Sequence, residues 1–387
     1  MKSRQDTALN RRNGGTHPSV RAMRLHLREN AGRYFPDIGS QQVRVVLVCA
    51  QRRPFSSLYR FIIRAPGWRR TVVVKLLTSG NRRSNGSQAS RNGDRPRLFR
   101  VPEAEFAFEF EHAALSAIHA YYQDLNDPRF GTIRVLDILP GDHGIVMEYV
   151  NNPPLSKLLL KGSRFAHPLP AIDLRTPFQN AGAWLRAYHR FAGPEQSRRR
   201  HCHRSEFITS IHQFTQFLGH AHGDKRFFQR VASKVEAAAH QTLPERLPFG
   251  ISHGDYAPHN ILVGFQSRVT GFDTLALWQA PIYEDISHFL TILKANKLQI
   301  YSQGLAFSSA VIGRCEADFL RGYFAQDAVP DGAIRTYEAQ MLLNKWASVT
   351  HSRQTSRGTR RIYKHCRLAV ISRFYRRCID QLDLLNL

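Results

Sequence analysis

Three β-rich runs packed close together near the start of the folded region constrain this chain most. Residues 43–48, 58–63 and 71–77 are dense in β-branched and aromatic side chains, and only short polar or Pro/Gly turns separate them. Linkers this short carry no crossover, so the runs read as an antiparallel meander. A Gly/Ser/Asn/Arg-rich stretch over 79–96 reads as a surface loop. Residues 104–122 follow with helical periodicity, placing Phe106, Phe110, Ala113, Ala114, Ala117 and Ile118 on one face. Two more strands are predicted at 132–138 and 144–149, around a Pro140-Gly141 turn.

Asn151-Asn152-Pro153-Pro154 then punctuates the chain. Beyond it the pattern is mainly helical, at 155–162, 175–192, 204–220, 224–241, 286–295, 306–324, 334–348 and 362–385. The fold class this predicts is α+β with two lobes. A basic, flexible arm over 1–40, with a short helix at 20–33, precedes a small antiparallel-sheet N-lobe over 41–150. A mainly helical C-lobe spans 151–387. A length of 387 residues suffices for two cores, and a hydrophobic fraction of 42% excludes general disorder.

One β-rich island interrupts the helical half. His253-Gly254-Asp255-Tyr256-Ala257-Pro258-His259-Asn260 is followed by a predicted hairpin, 261–263 with 269–272, and then by Asp273. Two carboxylates and a carboxamide at these spacings suit phosphoryl transfer, which asks mainly for positioning and charge stabilisation. Asp255 is placed to orient and deprotonate a hydroxyl. Asn260 and Asp273 are placed to hold Mg²⁺, a hard cation that takes oxygen ligands and is completed by phosphate oxygens and water. A single Asp in a loop is more often a turn or capping residue; the agreement of all the spacings, on strand flanks, is what argues for a site.

The stretches HGDYAPHNIL, GFD and PIYEDISHF resemble the aminoglycoside phosphotransferase/choline kinase group, relatives of the eukaryotic-type protein kinases. The resemblance runs over about residues 43–325 and is most specific from 251 to 290. It implies a protein kinase-like fold, an ATP-dependent phosphotransferase with an alcohol acceptor, and ATP and Mg²⁺ as cofactors. It also implies that His253 supports the loop and that Asp285 braces it. Val72-Val73-Val74-Lys75 resembles the family strand whose Lys meets nucleotide phosphates. Glu111, in Glu111-His112-Ala113-Ala114-Leu115, is then the partner of Lys75, with His112 where the family has Ala; Glu105 and Glu109 are rivals. Val146–Val150 resembles the segment that meets the adenine edge, so Glu148 and Tyr149 are candidate nucleotide contacts. The chain lacks the G-x-G-x-x-G loop of protein kinases. Ser56 and Ser57, at the first strand turn, are the candidate phosphate contacts in its place, and the choice between ATP and GTP stays open.

The net charge of +25 and pI near 10.5 point to an anionic partner, or the Arg-rich composition reflects a GC-rich genome. They make a polycationic aminoglycoside a poor acceptor and favour a neutral or anionic sugar, for instance of a cell-surface polysaccharide or lipid-linked glycan. The basic run from Lys345 to Arg377 holds no acidic residue and is interleaved with Trp346, Tyr363, Phe374 and Tyr375. It suits an anionic membrane surface, with nucleic acid a weaker alternative and a solvated helix face the plain one. Five cysteines without a C-x-x-C pair, and no apolar run that spans a bilayer or serves secretion, read as cytoplasmic, with peripheral contact at the inner membrane face. His201-Cys202-His203 lacks a second ligand pair for zinc. Two rival functions remain: a non-catalytic kinase-like protein on a polyanion, and a protein kinase. The latter is disfavoured by the short stretch from Thr274 to Glu284, which lacks an Ala-Pro-Glu end.

Overall fold

The computed structural model describes residues 19–39, 41–53, 56–77, 104–139, 144–162, 173–193, 198–199, 202–274, 278–354 and 359–382. They form two compact units, which part at Asn151/Asn152 and within the long helix α3.

The first unit opens with helices α1 (Val20–Glu29) and α2 (Ala31–Tyr34), followed by strands β1 (Arg44–Arg52), β2 (Ser56–Ala65) and β3 (Trp68–Leu77). Helix α3 (Ala104–Leu125) runs on into the second unit, which holds the two-residue strand β4 (Phe130–Gly131), before the chain returns to β5 (Val135–Leu139) and β6 (Gly144–Glu148) of the first. The sheet order is β1-β2-β3-β6-β5, antiparallel throughout. Strand alternation gives it two faces. Phe61, Ile63, Val72, Val74, Leu76 and Val146 turn to one, where Met23, Leu27, Ala31 and Tyr34 cover them.

That cover corrects the flexible arm expected over 1–40. Residues from Val20 to Ile38 are part of the core, because Met23, Leu27, Ala31 and Tyr34 recur at helical spacing and fill the apolar side of the sheet. Ser19 caps α1 by accepting a hydrogen bond from Ala22 N at 3.1 Å. Asp137 of β5 ties the cover down, accepting from the Tyr34 hydroxyl at 2.6 Å and His26 Nε2 at 2.9 Å, and from Arg33.

The second unit continues through α4 (Leu155–Gly162), α5 (Arg175–Arg190), β7 (Arg198–Arg199), α6 (Arg204–His222) and α7 (Lys225–Thr242). Then come β8 (Phe249–Ser252), β9 (Ile261–Val263), β10 (Val269–Gly271) and β11 (Trp278–Pro281), and helices α8 (Ile282–Lys294), α9 (Lys297–Tyr301), α10 (Ser309–Phe324), α11 (Asp331–Gln354) and α12 (Thr359–Asp380). The predicted hairpin is β9–β10, with Val269 opposite Val263, and β4 adds in parallel to β10. Helix α8 starts four residues before its predicted position because Glu284 and Asp285, which break the apolar pattern, are themselves buried. Helices α5 and α10 touch backbone to backbone: a Cβ at Gly182 would collide with the Phe319 carbonyl, and one at Gly322 with the Gln179 carbonyl.

The C-terminal basic run is corrected in part. Trp346, Phe374 and Tyr375 are buried, so they are core residues of the helical unit and not interfacial anchors. Arg376 pairs with Asp224 at 2.9 Å and lies over the Phe227 ring. Tyr363 falls outside the described side chains. Among the described residues no helix is long and apolar enough to cross a membrane. Cys49, Cys202, Cys315 and Cys378 are free thiols. His203 caps α6 in a reciprocal box with Glu206, while His201 lies outside the described residues.

Candidate active site

Strand β8 delivers the chain into the loop at Ser252. Gly254 follows with φ +79°, a left-handed conformation that costs glycine little. Here the backbone turns two amides toward one acceptor. The Asp285 carboxylate receives His253 N–H at 2.7 Å and Gly254 N–H at 2.9 Å. His189 Nε2–H donates to the same carboxylate at 3.1 Å, and His189 Nδ1 sits 2.7 Å from the Tyr323 hydroxyl, which fixes the imidazole. Burial alone pushes the Asp285 pKa up, yet the hydrogen bond and charge of His189, with His253 and its amide, hold it down at about 2.

Asp255 comes next, with its side chain half exposed. The Asn260 amide nitrogen donates to Asp255 Oδ2 at 2.9 Å and to the Asp255 carbonyl at 2.9 Å. With its nitrogen engaged there, Asn260 offers its oxygen as the remaining donor atom. A 3₁₀ turn at Pro258–Asn260 feeds β9, and Phe272 N–H bonds the Asn260 carbonyl at 3.1 Å, locking loop to hairpin. Gly271 closes β10 where a Cβ would lie 2.5 Å from the Trp184 ring. Asp273 then adopts φ +66°, a strained conformation for a non-glycine residue and one found at functional sites. Asn260 thus meets Asp255 through its side-chain amide and Phe272, the residue before Asp273, through its carbonyl.

An aromatic stack supports the loop. The Trp184 ring lies near-parallel to those of Tyr122, Tyr188 and Tyr256, with centroids 5.0, 5.3 and 5.6 Å away. Tyr256 donates to the Ala181 carbonyl at 2.7 Å, and Tyr188 meets Thr274 Oγ1 at 2.8 Å. His253 packs edge-on to this stack. Neither of its ring nitrogens has a hydrogen-bond partner among the described residues, and burial pushes its pKa down. His253 is therefore a neutral packing group here.

Two neighbours of Asp255 were not singled out by the motif. His288 of α8 places Nδ1 3.1 Å from the Tyr256 carbonyl and Nε2 3.7 Å from Asp255 Oδ1. Burial first, then the Lys345 charge, pushes its pKa down to about 4. Lys345 sits on α11, which packs against α8. The His-Phe end of PIYEDISHF was the only signal for the first, and nothing local marks the second.

The His288 shift has a measurable consequence. An unfolded chain protonates this imidazole near pH 6.5, the native one only near pH 4, so the unfolded state binds more protons between those values. The stabilisation is complete above about pH 6.5 and falls away toward pH 4, by an amount on the order of 2–3 kcal/mol. Thermal melts between pH 7.5 and 4.5 are expected to show this decline. A His288→Leu variant is expected to flatten it.

In the first unit, Lys75 Nζ bonds Glu111 Oε1 at 2.5 Å, and both side chains are largely buried. Glu105 and Glu109 lie outside the described side chains. Strand pairing puts Leu58 opposite Lys75 and Ser57 opposite Leu76. Ser56 is thus on the Lys75 face, while the Ser57 side chain turns to the opposite face covered by α1. Both serines are buried. The amides of Glu148 and Tyr149 are engaged by the carbonyls of Arg134 and Thr71 at 2.9 and 3.1 Å, so neither N–H is left for a base edge. A depression of about 360 Å³ does open on the Lys75 face, with Val48, Arg60, Ile62, Thr71, Tyr149 and Asn151 among its lining residues. Arg60, not anticipated from the sequence, stacks over the Tyr149 ring and donates to its hydroxyl at 3.0 Å.

The small antiparallel sheet followed by a mainly helical unit is the fold of kinase-type phosphotransferases that act on hydroxyl groups. Residues 87–272 match the phosphotransferase enzyme family, and the chain resembles the aminoglycoside phosphotransferase and choline kinase-like group. Among solved structures, the chain is similar to a putative aminoglycoside phosphotransferase from Ralstonia eutropha, at 12% identity, TM-score 0.55, covering 94% of this chain and 98% of that one. It is also similar to a macrolide 2'-phosphotransferase from Brachybacterium faecium, at 10% identity, TM-score 0.50, covering 90% and 97%. At these identities the likeness concerns the fold. No curated protein matches the sequence.

Proposed function

We propose that this chain transfers the γ-phosphoryl group of ATP to a hydroxyl of a sugar-type small molecule or glycan. The observation that carries this reading is the Asn260 amide clamped to Asp255 in a loop whose following hairpin ends at Asp273. Asp255 is the group that orients the acceptor hydroxyl and takes its proton. Its half-exposed carboxylate is open to an incoming alcohol. Asp285 and His253 hold the loop in place, one through backbone amides and the other by packing.

Asn260 Oδ1 and the Asp273 carboxylate are hard oxygen donors that fit Mg²⁺. Among the described residues no three His, Cys, Asp or Glu side chains cluster as a metal site, so these two would share the cation with phosphate oxygens. Bound there, Mg²⁺ neutralises charge on the transferring phosphate. Within the first unit, Lys75, held by Glu111, is the contact for nucleotide phosphates, and the depression beside Arg60 and Tyr149 seats the nucleobase. Strand β11 and helix α8 follow soon after Asp273, which favours a small acceptor over a polypeptide.

Incubation with radiolabelled ATP and a panel of sugars and lipid-linked glycans, followed by mapping of the modified hydroxyl, tests the reading. Labelling of protein substrates alone would refute it. Lys75→Met is expected to lower kcat/KM for ATP by about 10²-fold, as expected for loss of a preorganised charge at the phosphates. Steady-state kinetics measures this, with an unchanged circular dichroism spectrum as control.

A further inference from the structure

Asp255 lies within electrostatic reach of imidazole and ammonium groups, with His288 Nε2 3.7 Å from its carboxylate. Its charge is felt by His288, by His259 on the same loop and by Lys345 of α11. Lys297, the first residue of α9, acts on His259 from the same side chain set. Lys345 is unusual among these. It is half-buried, yet it makes no hydrogen bond and no ion pair within 4 Å among the described residues. Burial lowers its pKa, as expected for an ammonium withdrawn from water without a partner. Such an arrangement is unfavourable for the empty protein and is relieved by an anion.

Several carboxylates of this unit give a complementary observation. Glu316 and Glu338 bind Lys294 and Arg335, at distances from 2.6 to 2.9 Å. Asp224 pairs with Arg376, Glu245 with Arg204, Asp318 with Arg321 and Asp327 with Arg186. These acids are matched by the protein's own cations, whereas Lys345, which feels the Asp255 charge, is not. A polycationic acceptor would need the reverse.

We infer that the acceptor carries an anionic group, a phosphate, sulfate or carboxylate, and that Lys345 binds it beside Asp255. This rests on the phosphotransferase reading above. The acceptor hydroxyl must reach Asp255, and Lys345 offsets the repulsion between that carboxylate and a second negative charge. Lys345 is thus a specificity residue that selects by charge and takes no part in proton transfer.

The test uses the full chain with saturating MgADP at constant ionic strength. Melting midpoints are read with D-glucuronate, glucose 6-phosphate, D-glucose and hygromycin B, for the wild type, Lys345→Met and Lys345→Arg. Ligand binding to the folded state raises the midpoint. The anionic sugars are expected to raise it in the wild type and in Lys345→Arg, and to lose at least half of that rise in Lys345→Met. Glucose and hygromycin B are expected to leave it in place. A rise with hygromycin B overturns the inference. So does an anionic response no larger than that to glucose, no response included, or an equal response in Lys345→Met. Should the Met variant fail to fold, Lys345→Gln gives the same reading. The MgADP shift is read separately: its absence removes the phosphotransferase proposal, while its presence without an anion preference removes only the claim about the acceptor.

Discussion

Asp255→Asn is expected to lower phosphoryl transfer by about 10³-fold while leaving nucleotide binding intact, the range found for loss of a positioned general base. The substitution keeps shape and size, and the Asn260 amide can still donate to the new carbonyl oxygen, so the loop retains its hydrogen bond. What disappears is the negative charge and the basic lone pair facing the acceptor. The MgATP-induced rise in melting midpoint should therefore persist, because Lys75, Glu111, Asn260 and Asp273 are untouched. Full turnover in this variant would remove Asp255 from the reaction. Loss of both turnover and the midpoint rise would instead mark it as a residue of the nucleotide site.

The second large effect is on stability. Gly322→Ala is expected to destabilise the chain by about 3 kcal/mol or more, since overpacking costs rise when the obstacle is backbone. The added methyl would meet the Gln179 carbonyl, and α5 would have to move away from α10. Helix α5 also carries Trp184, Tyr188 and His189, and its Ala181 carbonyl receives the Tyr256 hydroxyl. A shift of this helix reaches the loop through those four contacts. Denaturant melts should show the loss of stability, and the surviving folded fraction should show lowered turnover. An exposed glycine with open space around it, such as Gly313, serves as the control, since Ala there costs little and improves helix propensity.

Part of this architecture was legible because its determinants are local. The meander, the hairpin β9–β10 and the spacing from Asp255 to Asn260 each depend on residues a few positions apart. Features built from distant residues were not. The neighbourhood of Asp255 and Lys345 arises only when α11 packs on α8, and no periodicity encodes that meeting. The engagement of the Glu148 and Tyr149 amides depends on strand order, in which β6 pairs with β3 and β5. Ser57 shows the same lesson on a smaller scale: one step along a strand reverses the face, and the turn motif alone did not say which serine faced Lys75. The N-terminal segment misled for another reason. Its arginines dominate the composition, while the four residues that seat it are spaced for a single helical stripe.

The helical cover on the first sheet bears on how the protein is handled and how it ages. Trimming the chain back to β1 would bare Phe61, Ile63, Val72 and Val74, a water-averse patch on a sheet whose outer strand can recruit another copy. A shortened expression product starting at Arg44 should precipitate. A single endoprotease nick between the cover and the sheet would have the same outcome, turning limited digestion into loss of soluble material.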